Sequence, residues 1–324
     1  MSLTATLKTA ASGLTAAQIA LRATSDNIAN VNTPGYVRKK IDQAPLVVGG
    51  AGMGVEVSGV KRVTDQYLQL ATISATSAAS RWGAVSEHLD NAQSLFGDPS
   101  GDGFFFKRLD DIFNSFAAAA DDPSSSLLRS QALSNVEDFL AESERIGDQI
   151  SDIGKTVDSQ IAAGVNRAND LLHQINTLNA DISRAKLSNA DASGSENIQS
   201  QLVDELATLI DIRINGTSSG GLTVRTSEGM LLAGDGVAAK LSYNRTDATR
   251  GYIAVEPTNG IGFPQPMQVN GGEIRGLLDL RDTVLPGMSD QLGEFVARSA
   301  ERLNAAHNAS TASPAPGVLT GRNT

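Results

Sequence analysis

The chain contains no cysteine. Disulfides, cysteine-ligated metal and thiol nucleophiles are therefore excluded. Aromatic residues are scarce, at 4% of 324 residues. Large aromatics supply much of a rounded core, so their scarcity favours long helices packed along narrow seams. Positive charge is short too: 26 Lys and Arg stand against 36 Asp and Glu, a net charge of −10. Wrapping nucleic acid needs a basic face. The one dense basic cluster, Arg38-Lys39-Lys40, reads as a solvated turn, so no nucleic-acid partner is expected. No run of 18 apolar residues occurs, so no membrane span is expected. The N-terminus lacks a basic segment followed by an apolar one, so no cleaved signal peptide is expected either.

Catalytic patterns are missing in the same way. The three histidines, His88, His173 and His307, are too far apart in sequence to form a local metal pair. No complete phosphate loop of the form Gly-x-x-x-x-Gly-Lys-Ser/Thr occurs. Gly50-Ala51-Gly52-Met53-Gly54 is no dinucleotide loop, because Val55 stands at the third glycine position and strand signals follow. Asp110-Asp111 and Asp121-Asp122 are adjacent pairs, and neighbours in sequence do not face each other on a helix. The residues point to no catalytic site, no cofactor and no metal.

The strongest positive signal opens the chain. Leu3, Leu7, Ala10, Leu14, Ala17, Leu21, Thr24, Ile28 and Val31 alternate steps of four and three. That period of 3.5 predicts a helix with a narrow apolar seam of coiled-coil type. An isolated helix is marginal in water, so the seam needs a partner. Asn32-Thr33-Pro34-Gly35-Tyr36 then stops the helix, with Pro34-Gly35 suited to the centre of a type II turn. Val47-Val48 and Val55-Glu56-Val57 read as short strands of a hairpin.

Helical pattern resumes from about Thr64 to Phe96 and again from Phe104 to Ala120. In the latter, Phe105, Leu109, Ile112 and Phe116 are expected to form a core stripe with Phe113 close by. The longest helix is predicted from about Ser124 to Leu187, roughly 90 Å at 1.5 Å per residue, which implies an elongated molecule. Its seam includes Ile146, Ile150, Ile153, Val157, Ile161, Val165, Leu172, Ile175, Leu178 and Ile182, and three consecutive steps of four form a stutter. A short helix over Asn197–Ile210 is expected to return antiparallel. From Asn215 the pattern becomes Gly, Thr and Ser with alternating strands, and Glu228-Gly229 suits a hairpin turn. Helix returns after Gly271-Gly272, with a kink expected near Pro286.

These patterns give a mainly α fold: an elongated antiparallel bundle of long helices, with an N-terminal coiled-coil-type helix and a small β-rich insert. The expected divisions are residues 1–40, axial helix and turn; 41–212, helical bundle with a hairpin; 213–272, β-rich insert; 273–309, returning helix; and 310–324, disordered tail.

Several stretches carry a family resemblance. Gly13-Leu14-x-Ala16-Ala17-Gln18-x-Ala20-Leu21, followed by Ser25-Asp26-Asn27-Ile28-Ala29-Asn30-Val31-Asn32-Thr33-Pro34-Gly35-Tyr36, resembles the N-terminal signature of flagellar axial proteins. Gly54-Val55-Glu56-Val57 through Arg62 with Tyr67-Leu68, Phe113–Arg129 and Gly271–Pro286, with Leu303-Asn304-x-x-His307, are similar to the hook-associated members of that family. The resemblance implies a structural subunit of the extracellular bacterial flagellum, secreted by type III export and assembled as a tubular ring between hook and filament. It implies as partners other copies of the chain, the hook protein, a second junction protein, filament flagellin and the export apparatus. It singles out Leu3, Leu7, Leu14, Leu21, Asn27, Ile28, Asn30, Val31, Asn32, Pro34, Gly35 and Tyr36 as the assembly motif. Residues 196–204 depart from the family's usual run there. The chain also ends at Thr324, without the C-terminal helix the family uses, so truncation and a short form both stay open and the export chaperone is in doubt. A rod or hook subunit, or a secreted binding module using the insert, are the alternatives.

Overall fold

The computed structural model describes residues 3–33, 35–48, 50–188, 190–234, 236–246, 250–257 and 262–309. Pro34 and the tail expected over 310–324 lie outside the described residues. The fold is mainly α, with long helices and a small antiparallel β insert. In chain order it runs α1 (Leu3–Ala29), β1 (Lys39–Val48), β2 (Ala51–Arg62), α2 (Gln66–Ser94), α3 (Lys107–Asp121), α4 (Ser126–Leu187) and α5 (Ser193–Leu209). The insert holds β3 (Ile212–Gly216), β4 (Leu222–Thr226), β5 (Leu231–Gly234), β6 (Val237–Ala238), β7 (Leu241–Arg245), β8 (Gly251–Val255) and β9 (Gln265–Met267). The chain then continues through α6 (Gly272–Asp279), a π-helical segment (Leu280–Val284) and α7 (Leu285–Ala309).

Helix starts follow from side chains that accept the free N–H groups of a first turn. Asp65 Oδ1 accepts from the N–H groups of Tyr67 and Leu68 at 2.9 and 3.2 Å, which starts α2. Just ahead of α5, Asp191 Oδ1 accepts from Ser193 N–H at 2.9 Å, and the helix begins four residues ahead of the predicted Asn197. The polar, glycine-containing segment before Asn197 reads as a turn, but Ser193–Glu196 already lie in the helix.

Two compact units divide the chain. One falls within Met1–Arg81, Ala163–Asn244 and Tyr252–Arg275. Its buried residues include Leu171, Leu172, Ile175 and Ile182 of α4, Val203 and Leu206 of α5, and Val224, Leu232 and Ile253 of the insert. The insert forms a four-stranded sheet β3-β4-β5-β6 and a three-stranded sheet β7-β8-β9. In β3, Ile212 and Ile214 are buried while Arg213 and Asn215 are exposed, as the period of a strand requires. Two asparagines of α4 hold these sheets by pairing with both polar groups of one strand residue. Asn169 Nδ2 donates to Leu241 O at 2.9 Å while its Oδ1 accepts from Leu241 N–H at 2.7 Å. Asn179 does the same to Leu222, at 2.8 Å in each direction.

The other unit falls within Trp82–Ala162, Arg245–Gly251 and Gly276–Thr324. There α2 and α4 run antiparallel: His88 Nε2 lies 2.8 Å from Gln160 Oε1, and Arg145 Nη2 donates to Leu95 O at 3.4 Å. Phe105 stacks on Phe139 at 5.4 Å between ring centres, and Phe96 and Phe295 meet it at 5.9 and 6.1 Å. The aromatic residues are few, and one ring cluster in this unit gathers six of the nine phenylalanines, Phe104 and Phe106 being the others. The predicted stripe along α3 is corrected here. Phe105 and Ile112 are buried, but Phe113 is 60% and Phe116 41% exposed. Phe105 lies ahead of α3, so a helical phase projected from it does not carry to Phe116.

The segment before Pro286 widens. Pro286 has no N–H and would crowd the carbonyl four residues back in a regular α-helix. Instead Leu285 N–H donates to Leu280 O, five residues back, in the pattern of a π-helix. Arg281 is 4% exposed and donates to Gly251 O at 3.1 Å. It also lies against Asp282 at 2.5 Å and Asp158 at 3.5 Å, so its buried charge is paired.

Candidate assembly site

The N-terminal helix has two faces of different chemistry. Leu3, Leu7, Leu14, Leu21 and Ile28 of α1, with Val31 just beyond, are between 63% and 88% exposed. Leu7, Leu14, Leu21 and Ile28 recur every seven residues, so they form one stripe along the helix. The opposite face is small and polar: Ser12, Ala16, Ala23, Asp26 and Asn27, with Ala16 and Ala23 buried. That face packs on the β1–β2 hairpin.

Small side chains let the helix and hairpin approach closely. Val55 N–H donates to Ser12 Oγ at 3.2 Å. Gly54 sits beneath with φ +121°, and a Cβ there would come within 2.1 Å of Ser12 Oγ, so only glycine fits.

Asn27 closes the other end. Its Nδ2 donates to Lys39 O at 2.9 Å, and its Oδ1 accepts from Lys39 N–H at 2.8 Å and from Tyr36 Oη–H at 3.0 Å. Lys39 Nζ lies 3.0 Å from Asp26 Oδ2, with the lysine side chain 10% exposed. The helix is therefore locked to Lys39, the first residue of β1, by three polar contacts and to Tyr36 by a fourth. Between them the chain turns tightly. Asn30 Nδ2 donates to Asp26 O at 3.0 Å, and Thr33 Oγ1 to Asn30 Oδ1 at 3.3 Å. Tyr36 N–H donates to Thr33 O at 3.1 Å, and Gly35 has φ +73°, as the third residue of a type II turn requires.

Of the expected motif residues, the structure brings Asn27 and Tyr36 into one cluster, places Asn30 and Gly35 in the turn, and leaves the six apolar seam residues on the outside. Asn32 is exposed. Pro34 lies outside the described residues. Sequence reasoning missed Ser12, Asp26, Lys39 and Gly54 as contributors. Asp26 and Gly54 stood within the quoted stretches, but nothing in a linear pattern shows which partner a side chain meets across a turn.

The hairpin is tied in turn to α5. Arg62, the last residue of β2, donates from Nη1 to Glu196 O at 3.0 Å and from Nη2 to Ser200 Oγ at 2.7 Å. Burial pulls the Arg62 guanidinium below its usual pKa, and the charges of Glu196 and Asp204 push it back. Burial pushes the Asp204 carboxyl above the usual range, with Arg62 acting against that shift.

Among the described residues, no three His, Asp or Glu side chains gather in a way that could hold a metal ion, and no helix is long and apolar enough to cross a membrane.

Residues 89–317 match the family described as flagellar hook-associated protein FlgK helical domain, and residues 7–36 match the flagella basal body rod protein family. Flagellar hook-associated protein 1 of Salmonella typhimurium is 28% identical over 309 residues, covering 92% of this chain and 55% of that protein. The protein of the same name from Escherichia coli is 29% identical over 318 residues, covering 94% and 57%. The Bacillus subtilis protein of that name is 26% identical over 239 residues, covering 69% and 46%. The chain thus spans about half the length of the curated relatives it matches. Among solved structures, the flagellar hook junction protein FlgK from Burkholderia pseudomallei shares the fold, with a TM-score of 0.63 at 20% identity over 74% of this chain and 43% of that one. With its helical region matched over more than half its length, the chain belongs to the flagellar hook-associated protein FlgK family.

Proposed function

We propose that this chain is a structural, non-catalytic subunit of the extracellular bacterial flagellum that joins hook to filament. The observation that carries this reading is the exposed seam of α1. Five large apolar residues, with Val31 just beyond, lie on the outside of a helix whose other face is already clasped to the hairpin. A lone helix does not keep such a stripe in water for its own stability, and a stripe of this period fits a partner helix. The family's name and the junction protein named among its solved members point the same way.

In this reading α1 pairs with another helix to line a tube, and copies of the chain form a ring between the hook protein below and a second junction protein and flagellin above. The chain reaches that place through the flagellar export apparatus, unfolded and with its N-terminal segment uncleaved. The test is complementation of a strain lacking its own hook-filament junction protein. Leu14→Ala with Leu21→Ala should give cells with hooks but few filaments, while secretion of the chain continues. Normal filament counts in that double variant would overturn the reading.

A further inference from the structure

The hairpin and the turn after α1 are separate stretches of chain, yet they land on neighbouring residues of α5. At the hairpin, the Arg62 guanidinium grips Glu196 O and Ser200 Oγ, two acceptors one helical turn apart. At the turn, Gly35 lies so close to Gln201 that a Cβ would come 2.9 Å from Gln201 Cγ. We propose that α5 is the seat that aims the N-terminal helix, and that Arg62 is its positioning residue, gripping Glu196 O and Ser200 Oγ beside the Gln201 contact with Gly35.

The chemistry favours aim over simple attraction. Both acceptors of the Arg62 bonds are uncharged and the Glu196 carboxylate is taken by Lys186 at 2.7 Å, although the Glu196 and Asp204 charges of α5 add some attraction to the guanidinium. A planar guanidinium reaching two neutral acceptors fixes direction more than it adds long-range attraction. The α1–hairpin module is itself rigid through Asn27, Ser12 and Gly54, so it moves as one piece on this seat. Leverage makes the seat matter. Helix α1 has 27 residues. At 1.5 Å per residue that is roughly 40 Å, so a slip of about 10° at the seat moves its far end by about 7 Å. A seam displaced by that much misses a partner helix, since packed helices sit about 8–10 Å apart. The proposal draws on the junction reading for its consequence in a tube, but the seat itself is a property of the single chain.

The absence of cysteine allows a direct measurement. Spin labels are placed at Lys8→Cys, on the exposed part of α1, and at Gly194→Cys, where an added Cβ meets nothing within 4 Å. Pulsed dipolar spectroscopy on the purified chain then reads the distance between α1 and α5. With Arg62 in place the distribution is narrow. Arg62→Ala should at least double its width and shift its mean by about 5 Å, the lever scaled to residue 8. Arg62→Lys, with one donor group for two acceptors, should fall between. Should Arg62→Ala fail to fold, Ser200→Ala takes its place, since it removes one acceptor and no charge. An unchanged distribution in these variants, even with a lower melting temperature, would overturn the proposal, because Arg62 would then stabilise without aiming. The measurement needs no flagellum, so its failure leaves the junction reading standing, and filament loss with unchanged aim would not rescue the seat.

Discussion

At the scale of single residues, the assembly module depends on amide and glycine chemistry that no apolar pattern discloses. Asn27 is the clearest case. Its amide donates to a carbonyl and accepts from an N–H of the same residue, Lys39, while also accepting from Tyr36. Asn27→Asp keeps the shape but removes the donor, leaving a carboxylate oxygen facing Lys39 O. Losing a partner in a part-buried contact of this kind costs about 1–3 kcal/mol. Hydrogen exchange of Tyr36–Ile41 should therefore speed by about 5- to 150-fold, at about 1.4 kcal/mol per factor of ten, with α4 unaffected. Unchanged exchange would show that the turn holds without Asn27. Gly35→Val tests the turn from the other side. A β-branched residue at φ +73° pays a left-handed penalty of about 1–2 kcal/mol, and its side chain must also push Gln201 aside. That is small against the roughly 5–15 kcal/mol of a folded domain, so the helical core should keep its circular dichroism and melt within a few degrees of the parent. Filament counts in complemented cells should fall. Normal motility would sink this prediction, and so would collapse of the whole fold.

At the scale of elements, the sequence carried more than the residue scale allowed. The N-terminal helix over the heptad steps, the long α4 and a small insert of alternating strands all appear as expected. Each rests on a local period or a local breaker, which a chain displays without its partners. What stayed hidden depends on long-range contact. The Asn169 and Asn179 clasps need strands brought to α4 from 43 and more residues away. The exposure of Phe113 and Phe116 turns on where α3 begins, two residues after Phe105. Pro286 announces a disturbed helix, but whether it kinks or widens into a π segment depends on neighbours such as Asp158 that hold Arg281 inside. The seam itself gives a prediction at this scale. Leu14 and Leu21 are mostly exposed, so Leu14→Ala and Leu21→Ala together should change the stability of the single chain by no more than about 0.5 kcal/mol each, the ordinary range for surface substitutions. A thermal or urea melt reads this directly. A loss of several kcal/mol would mean that the leucines already pack within the chain, and the seam would no longer be an assembly surface.

At the scale of the whole molecule, charge and seam oppose each other, and salt decides between them. Each copy carries a formal charge of −10. Bringing copies together therefore meets like-charge repulsion, which falls as the screening length shrinks from about 30 Å at 0.01 M salt to about 8 Å at 0.15 M. Apolar contact along α1 is not weakened by screening, and strongly hydrated salts such as sulfate strengthen it. If the exposed leucines drive association, it must grow with ionic strength. If ion pairs between copies drive it, it must shrink. Sedimentation of the purified chain across that salt range, at concentrations high enough to populate contacts between copies, separates the two. The expected result is more association at high salt and more again in sulfate, with neither increase in the Leu14→Ala, Leu21→Ala chain. That control matters because salting-out through other exposed residues, such as Phe113 or Trp82, would persist in the double variant. Association that weakens as salt rises, or a salt effect equal in parent and variant, would remove the seam from the account of how copies of this chain meet.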